Sequence, residues 1–533
     1  MIRTNDHDQL LLFDPWKYLS PKRRGLLDQS WSGLFRNEIL RQLPVNELKA
    51  NFSKVMGRPT KELYTMLGVI LLQQAHNLTD EETIFQLAFN IQWHYALNIT
   101  DESDEAKYFS LKTLWNFRQL VIENKLDSIL FDKVTDRLAK CFNVNTDKQR
   151  IDSVHIKSNM RRLGRISIFS TSIHKFLVNL KRKYSSLFGE INTQVIGKYF
   201  ADKSLACFSL VKPSDSPKTL KDVSNDLFEL VEQFKGNSHV TEMYSYKLLN
   251  RVLAEQCNIE ETGDGRKVEI KKPKEIPSDS LQNPSDPDAT YSGHKGQGYQ
   301  VQIMETYSDT DDKEKKEKTL NLITHVSVEK ASESDAHALI PAIESVMERD
   351  LHPKEVLADS LYGSDENCEI SKSKDVDLIS PTMGAIKGDS VTLADFDILD
   401  KGQVEKCPQG HSPIFTKNKK ERITQGFEIA TCAECPMVEA CPVKEGKKHY
   451  YLRYSRKSAR LARRRHFEST DKFKDIYRWR AGVEATMSEY DKRTGVKRLR
   501  VRGFDAVRFA ATLKAVAVNI FRATSARKAA IYA

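Results

Sequence analysis

The chain has 533 residues, a mass of 61.0 kDa and a formal net charge of +10. This length exceeds what one hydrophobic core usually supports, so we expect two to four domains. The composition, 40% hydrophobic and 29% charged, is that of a globular protein, and the absence of a run of roughly 18 apolar residues argues against a membrane-spanning one. Because the start, MIRTNDHDQLLLFDPW, lacks the basic and then apolar run of a signal peptide, we expect a soluble intracellular protein.

The first part of the chain predicts a compact helical domain. From Asn37 to Ile122 apolar residues recur at helical spacing, as in LYTMLGVILLQQAHNL, and Ser110 is placed to cap the helix LKTLWNFRQLVIE. Such a domain would read DNA through a helix-turn-helix or serve as a scaffold, and periodicity alone does not separate the two.

Strand patterns alternate with helical patterns through the middle of the chain. RIDSVHI predicts a short strand, a helical region follows from Asn159 to Gln256, and residues 260–298 predict a loop because Gly, Pro, Asp and Ser crowd them. GYQVQIMETY and NLITHVSVE predict paired strands, joined by an exposed charged loop. A helix is predicted for DAHALIPAIESVME, and a buried strand that ends in a glycine turn is predicted for EVLADSLYG. A further helix begins near Ser364, and a strand follows it in DVDLISP. This order predicts an α/β fold with a mixed sheet.

Two aspartates lie at the ends of predicted buried strands, Asp152 in RIDSVHI and Asp359 in VLADSLYG. Burying an unpaired carboxylate costs several kcal/mol unless a cation or a donor compensates it. Because neighbouring strand ends in an open sheet form a crevice where ligands bind, the two carboxylates would be able to share a metal ion. The alternative is that each caps a loop or pairs with a lysine.

A third acid lies on a predicted helix. Tyr477, Arg480, Glu484 and Met487 recur at three- and four-residue spacing and therefore line one face. Glu484 either forms local ion pairs or faces the sheet as a third carboxylate. Two hard cations about 4 Å apart, held by three carboxylates, would activate water or a DNA 3′ hydroxyl and stabilise the leaving oxygen.

The positive charge is concentrated in one stretch. Residues 447–502 contain 19 Lys plus Arg and 6 Asp plus Glu, so this stretch carries more than the whole excess of the chain. A clustered excess favours a polyanionic partner, although a solvated helix face would have the same composition. The candidate DNA contacts in this stretch are Arg463, Arg464, Arg465, Tyr477, Arg480, Lys492, Arg493, Lys497, Arg498 and Arg500.

Four of the eight cysteines fall close together, at Cys407, Cys432, Cys435 and Cys441. Their number and the C-x2-C pair predict a closed tetrahedral zinc site of structural type, with His411 as a substitute for one thiol, Cys407 in particular. The alternative is a set of free thiols in a loop. We favour zinc because the segment has too few apolar residues to form a core of its own.

Three segments, DSVHIKSN, LADSLYGSDEN and YRWRAGVEATMSEYDKRTG, resemble the signature regions of bacterial insertion-sequence transposases of the DDE type. Tyr477, Arg480 and Glu484 match the family's Y-x2-R-x3-E pattern in register. The lysine expected after the glutamate is replaced by Asp491, so Lys492 and Arg493 are the candidates for its role. The helical N-terminal region also resembles the domain that precedes the catalytic core in these families.

The resemblance implies a ribonuclease-H-like mixed sheet flanked by helices, with Asp152, Asp359 and Glu484 as catalytic ligands of Mg²⁺ or Mn²⁺. It implies an all-α DNA-binding or transposase domain, a two-part catalytic core, a helical insertion with a linker, a zinc insertion, and basic helices that complete the core. The expected bounds are, in that order, 1–145, 146–160 with 290–400, 161–289, 401–450 and 451–533.

The function implied by the resemblance is DNA transposition. Such an enzyme binds terminal inverted repeats and catalyses metal-dependent strand cleavage and transfer, as a homodimer on paired DNA ends in the bacterial cytoplasm, associated with the nucleoid when bound. Two alternatives stay open: a structure-specific DNA nuclease on the same fold, and a domesticated, zinc-stabilised DNA-binding protein without catalysis.

Overall fold

The structure, a computed structural model, describes residues 2–7, 15–53, 57–200, 211–262, 265–384 and 391–531. Within these ranges, no helix is both long enough and apolar enough to span a bilayer. The N-terminal part is helical, as predicted, and Ser110 caps its helix, because Ser110 Oγ accepts a hydrogen bond from Thr113 N at 3.2 Å. Its helices are α1 (Pro21–Asp28), α2 (Trp31–Leu34), α3 (Val45–Lys49), α4 (Leu63–Ala75), α5 (Asp80–Phe89), α6 (Ile91–Ala96), α7 (Asp104–Lys107), α8 (Leu111–Glu123) and α9 (Leu126–Cys141).

Strand β1 (Lys148–Lys157) leads into a helical insertion with an apolar core of its own. The insertion contains α10 (Arg165–Lys183), α11 (Ser185–Gly189), α12 (Thr193–Tyr199), α13 (Ser216–Phe234), α14 (Ser238–Thr241), α15 (Tyr244–Gln256), β2 (Cys257–Thr262) and β3 (Gly265–Ile270). The helices end at Gln256, as predicted, but the prediction of a loop from residue 260 was wrong for the β2–β3 hairpin. The hairpin forms because Val268 packs into the insertion's core, a tertiary contact that the surrounding polar residues conceal.

The central sheet is mixed, as predicted. Its other strands are β4 (Thr290–Ser292), β5 (Gly296–Thr306), β6 (Ile323–Lys330), β7 (Glu355–Leu357) and β8 (Asp377–Ile379), and its helices are α16 (Lys313–Lys318), α17 (Leu339–Met347) and α18 (Asp365–Ser373). The strand order is β4-β5-β1-β7-β8, with β6 also paired to β5. β5 is antiparallel to β1 and β6, whereas β1, β7 and β8 are parallel.

A small β unit bears the four clustered cysteines. It contains β9 (Asp397–Ile398), β10 (Val404–Lys406), β11 (Phe415–Lys419), β12 (Arg422–Phe427), α19 (Ile429–Ala433), β13 (Lys444–Glu445) and β14 (Tyr450–Ser455). The expectation that this segment lacks a core of its own was wrong. Phe396, Val404, Ile423 and Leu452 are buried together, because strands distant in sequence bring scattered apolar residues onto one face.

The chain ends in α20 (Arg456–Glu468), α21 (Asp471–Tyr477), α22 (Gly482–Thr494) and α23 (Phe504–Ile531). The single helix predicted through Tyr477 and Glu484 is broken by a 3-10 turn at Arg478–Ala481. The break has a tertiary cause: Arg150 Nη1 donates to the Trp479 carbonyl at 2.6 Å, and a Cβ on Gly482 would lie 2.2 Å from the same nitrogen. Gly482 is therefore required for the close approach of Arg150 rather than for a special backbone angle.

The long helix α23 joins the N-terminal helices to the sheet. It packs against α4, α9 and β6, so that Leu67, Ile303 and Leu513 belong to one hydrophobic core. The described N-terminal helices thus share a core with the sheet, and the boundary near residue 145 stays a sequence-based prediction.

Lys514 on α23 is a buried cation at the ends of two helices. Its Nζ donates to Gln74 O, Asn77 Oδ1 and Thr494 O, at the C-terminal ends of α4 and α22. Burial, with a smaller contribution from nearby Arg500, lowers the pKa of Lys514 to about 7.

We expect the stability of the protein to depend on pH through Lys514. Because the pKa of Lys514 is lower in the folded chain than in the unfolded one, the group penalises folding fully below pH 7, and the penalty is relieved as the pH rises toward 10.5. The free energy of unfolding, measured by urea denaturation at pH 7, 8.5 and 10, should therefore rise relative to that of Lys514→Met. Parallel pH dependences in the two proteins would contradict this assignment.

Candidate active site

Asp152 and Asp359 lie next to each other on two parallel strands. The pairing of β1 with β7 runs from Lys148 opposite Glu355 to Arg150 opposite Leu357. Two more residues in the same register place Asp152 beside Asp359, just beyond the end of β7. Burial raises the pKa of Asp152, and the carboxylates of Asp359 and Asp335 raise it further, against the lowering effect of Arg480. Burial thus disfavours the charged form of Asp152 more than Arg480 stabilises it.

Arg480 links Asp152 to Glu484. Its Nη2 donates to Asp152 Oδ2 at 2.7 Å, and its Nη1 lies 3.7 Å from Glu484 Oε1. The Glu484 side chain is 75% exposed, whereas the Asp152 side chain is 17% exposed. Arg480 therefore lies between Asp152 and Glu484, with Glu484 on the solvent side.

The carboxylate groups of these acids suit a divalent metal chemically, but their arrangement suits it only in part. In the described part of the chain, no three His, Cys, Asp or Glu side chains are close enough to hold a metal ion. Carboxylate oxygens are nevertheless the ligands that Mg²⁺ prefers, and the carboxylates of Asp359 and Asp335 lie close enough to Asp152 to add to the rise in its pKa that burial mainly causes. Arg480 supplies a positive charge between Asp152 and Glu484, where a bound cation would provide the same compensation.

A buried ionic network fixes the helix that carries Glu484 to the sheet. Glu305 on β5 is fully buried and accepts from Arg150 Nε and Arg522 Nη1, each at 2.8 Å. Thr486 Oγ1, two residues after Glu484 on α22, donates to the same carboxylate at 2.7 Å. The network therefore sets the position of α22 relative to β1 and β5. Sequence reasoning missed it, because no local pattern connects these residues.

A second polar cluster borders the aspartates. Lys295 Nζ donates to Ser153 Oγ at 3.0 Å and lies 4.0 Å from Asp335 Oδ2. Gln302 Nε2 donates to Asp335 Oδ1 at 2.8 Å, and Tyr362 OH donates to Gln302 Oε1 at 2.5 Å. Sequence reasoning did not single out Lys295, Asp335 or Gln302, whereas Tyr362 is the tyrosine of the segment LADSLYGSDEN. Its hydroxyl thus has a structural use, since it fastens the glycine turn after Asp359 to β5.

The basic residues on α20 are engaged within the molecule. Arg463 pairs with Asp400, Arg464 Nη1 donates to Gly363 O at 2.8 Å, and Arg465 Nη2 donates to Met383 O at 3.2 Å. These contacts attach α20 to the turn after Asp359 and to the loop after β8. A role for these arginines in DNA binding stays a prediction.

The other candidate DNA contacts lie nearer to Glu484. Tyr477 stacks on Phe473 with ring centroids 5.1 Å apart, and Arg493 Nε donates to Glu489 Oε1 at 2.8 Å. Lys492 is exposed, as are three residues of the loop after α22, Lys497, Arg498 and Arg500. The predicted contacts thus separate into side chains used by the fold and side chains that face solvent.

The clustered cysteines surround one small cavity. Cys407, Cys432, Cys435 and Cys441 line a cavity of about 30 Å³, and His411 lines it as well. Burial raises the pKa of Cys432 to about 11, and the other three thiols contribute to the rise. The thiols are gathered, yet they do not form a metal-holding group within the described residues.

Comparison with known proteins adds independent information on this site. Two family models match the chain, and both describe transposases. The model described as "Transposase DDE domain" matches residues 406–524, and that described as "Transposase domain (DUF772)" matches residues 28–120. No curated protein and no solved structure matches the chain.

The two matches support a transposase, and therefore an enzyme that acts on DNA. The DDE-domain match contains Glu484, the clustered cysteines and the basic helices, but it begins after Asp152 and Asp359. For the two aspartates, the argument depends on their geometry. Since DDE domains generally use divalent metals, the match also supports Mg²⁺ in broad terms.

Proposed function

We propose that the chain is an insertion-sequence transposase of the DDE type, with Asp152, Asp359 and Glu484 as its catalytic carboxylates. The observation that carries the proposal is the contact of Arg480 with both Asp152 and Glu484, together with the position of Asp359 near Asp152. The two transposase matches support the same function.

A ribonuclease-H-like core is part of this proposal. The strand order β6-β5-β1-β7-β8 supports it, with two antiparallel pairings on one side of β1 and two parallel ones on the other. In such a sheet an acid on the central strand lies beside the end of the neighbouring parallel strand. Asp152 on β1 and Asp359 after β7 have these positions.

The roles of the chain's own residues follow from the geometry. Asp152, Asp359 and Glu484 would hold Mg²⁺ or Mn²⁺, which activates the attacking oxygen and stabilises the leaving oxygen when bound. Arg480 orients the Asp152 carboxylate through its hydrogen bond at 2.7 Å. The Glu305 network holds α22 so that Glu484 keeps its place. Tyr477 stands beside the two aspartates, whose charges contribute to its raised pKa, and so would meet a DNA strand at the site.

The substrates would be the terminal inverted repeats of a mobile element and a target duplex, bound by a homodimer on paired ends. The deciding experiment supplies the protein and Mg²⁺ with precut DNA ends and a supercoiled target. A transposase joins the ends to the target, whereas a structure-specific nuclease on the same fold cleaves without joining. Binding of end DNA with no cleavage in Mg²⁺ or Mn²⁺ would instead indicate a DNA-binding protein without catalysis.

We also propose that the cysteine cavity holds one structural zinc ion. The supporting observation is that all four thiols and His411 line one small cavity of about 30 Å³. Thiolates and imidazole are the ligands of structural zinc. Zinc binding would favour the thiolate form of Cys432 despite its raised pKa, because the metal binds the deprotonated thiol.

Metal analysis of the purified full chain tests the zinc proposal. We expect one zinc per chain, its loss in Cys435→Ser, and a lower melting temperature after chelation. Cys141→Ser, which alters an exposed thiol outside the cluster, should keep its zinc. Comparison of His411→Ala with Cys407→Ser identifies the fourth ligand. Protein produced with added zinc that contains none would refute the site.

A further inference from the structure

Three loops that are distant in sequence meet beside the candidate active site. They are residues 157–165, from the end of β1 to the start of α10, residues 291–298, which include the turn between β4 and β5, and residues 495–503 after α22. We call them together the three-loop surface. The loops contain nine Lys and Arg residues and no Asp or Glu. Such a one-sided composition is unusual in a chain whose charged residues are nearly balanced elsewhere.

Direct contacts hold the three loops together. Asn159 Nδ2 donates to Arg500 O at 3.2 Å, and Arg502 Nη1 lies 3.3 Å from Met160 Sδ. Arg162 lies over the Tyr291 ring, 5.0 Å from its centroid. The surface is therefore one patch and not three separate charge clusters.

A buried carboxylate fixes the loops from beneath. Asp286, which is 1% exposed, accepts from Ser158 Oγ at 2.6 Å, from Tyr299 OH at 2.5 Å and from Gly503 N at 2.9 Å. The Asp286 oxygens thus accept hydrogen bonds from neutral groups and not from the Lys and Arg side chains of the loops. Asp286 positions the surface without neutralising it.

Seven of the nine cations of this surface are exposed and form no ion pair within the described residues, in contrast to Arg463 of α20, whereas Lys295 lies 4.0 Å from Asp335. Lys157, Arg161 and Arg162 are exposed in the first loop, and none of them forms an ion pair in the described part of the chain. The same is true, over the same ranges, of Lys497, Arg498, Arg500 and Arg502 in the third loop. Closely spaced cations without ion-pair partners repel one another and are stabilised by a polyanion.

The surface is continuous with the carboxylates. Lys295 of the second loop donates to Ser153, the residue after Asp152. The third loop begins where α22 ends, one residue after Thr494, and its first turn packs against β1. A DNA strand that crosses the carboxylates would therefore meet these three loops next.

We propose that the three-loop surface binds the sugar-phosphate backbone of duplex DNA beside the catalytic carboxylates. This inference rests on the proposed function, because it assigns the path of the DNA at that site. Lysine and arginine in glycine-containing loops contact phosphates irrespective of base sequence, so the surface supplies affinity and position rather than specificity.

The test measures binding of the full chain to a 30-base-pair duplex of arbitrary sequence over a range of salt concentrations. Lys157→Gln/Arg161→Gln should weaken binding about tenfold at low salt and reduce the slope of log Kd against log salt by roughly 1 per residue. The matched control, Arg182→Gln/Lys183→Gln, removes two exposed charges at the far end of α10, about 26 Å along the helix. It should leave Kd and slope unchanged.

The outcomes separate this inference from the proposed function. Three results would each overturn the proposed DNA-binding surface, whatever the cleavage activity. They are an unchanged salt slope in Lys157→Gln/Arg161→Gln, an equal loss of DNA affinity in the control variant, and weakening confined to duplex RNA. Asp359→Asn should bind the duplex as the unmodified protein does. If the unmodified protein neither cleaves nor joins DNA but the salt slopes behave as expected, the proposed function fails and the surface stands.

Discussion

Asp359→Asn is expected to lower metal-dependent cleavage of end DNA about a thousandfold, the largest activity loss we predict for a single change. Asparagine keeps the shape of the side chain and can still accept the hydrogen bond that Leu361 N donates to Asp359 Oδ1 at 2.8 Å. It removes the negative charge that a divalent cation requires at this position. The rate of strand cleavage in saturating Mg²⁺ is the measurement.

The control for this change is Asp475→Asn. Asp475 is an exposed aspartate on α21, so the same substitution alters the same charge away from the carboxylates. Asp475→Asn should cleave at the unmodified rate, and both variants should show the melting temperature of the unmodified protein within about 2 °C. Cleavage by Asp359→Asn within a few fold of the unmodified rate would exclude Asp359 from the catalytic group.

Glu305→Gln is expected to cost about 3–5 kcal/mol of unfolding free energy, the largest stability loss we predict. The fully buried Glu305 carboxylate compensates two guanidinium groups, those of Arg150 and Arg522, whose side chains are 10% and 16% exposed. Its loss leaves Arg150 in the interior with a neutral partner and leaves Arg522 with only the partly exposed Glu489 as an acidic partner. The unfolding free energy is measured by urea denaturation at neutral pH.

Glu489→Gln provides the comparison for this network. Glu489 also pairs with Arg522, but its side chain is 25% exposed and it contacts Arg493 as well, so its loss should cost only about 1 kcal/mol. Addition of Arg522→Met to Glu305→Gln should restore part of the stability, because it removes one incompletely compensated charge. Equal losses for Glu305→Gln and Glu489→Gln would show that burial does not set the strength of the network.

Much of the local structure was predictable from sequence patterns. The Ser110 cap, the pairing of β5 with β6, and the end of the insertion helices at Gln256 all follow from patterns a few residues long. The predictions failed where a distant residue intervened. Arg150 breaks the helix at Trp479, and the core of the insertion draws Val268 into a hairpin.

The candidate site was predictable in part for the same reason. Asp152, Asp359 and Glu484 stood out because an acid at a strand end or on a patterned helix face is a local feature. Lys295, Asp335 and Gln302 carried no such signal, because Lys295 lies in a hairpin turn and Asp335 in a polar stretch. Which arginines face solvent was also undecided, since α20 and the loop after α22 look equally basic in sequence.

By itself, the sequence determined most of the order of helices and strands and marked the residues whose chemistry suits metal or DNA, because hydrophobic period, caps and residue chemistry are local properties. Only the tertiary structure decided which of these residues meet. The contact between Arg480 and Asp152 spans 328 positions, and the network around Glu305 joins β1, β5, α22 and α23. Such contacts depend on strand register and on burial, which arise when the chain packs and have no counterpart in any short segment.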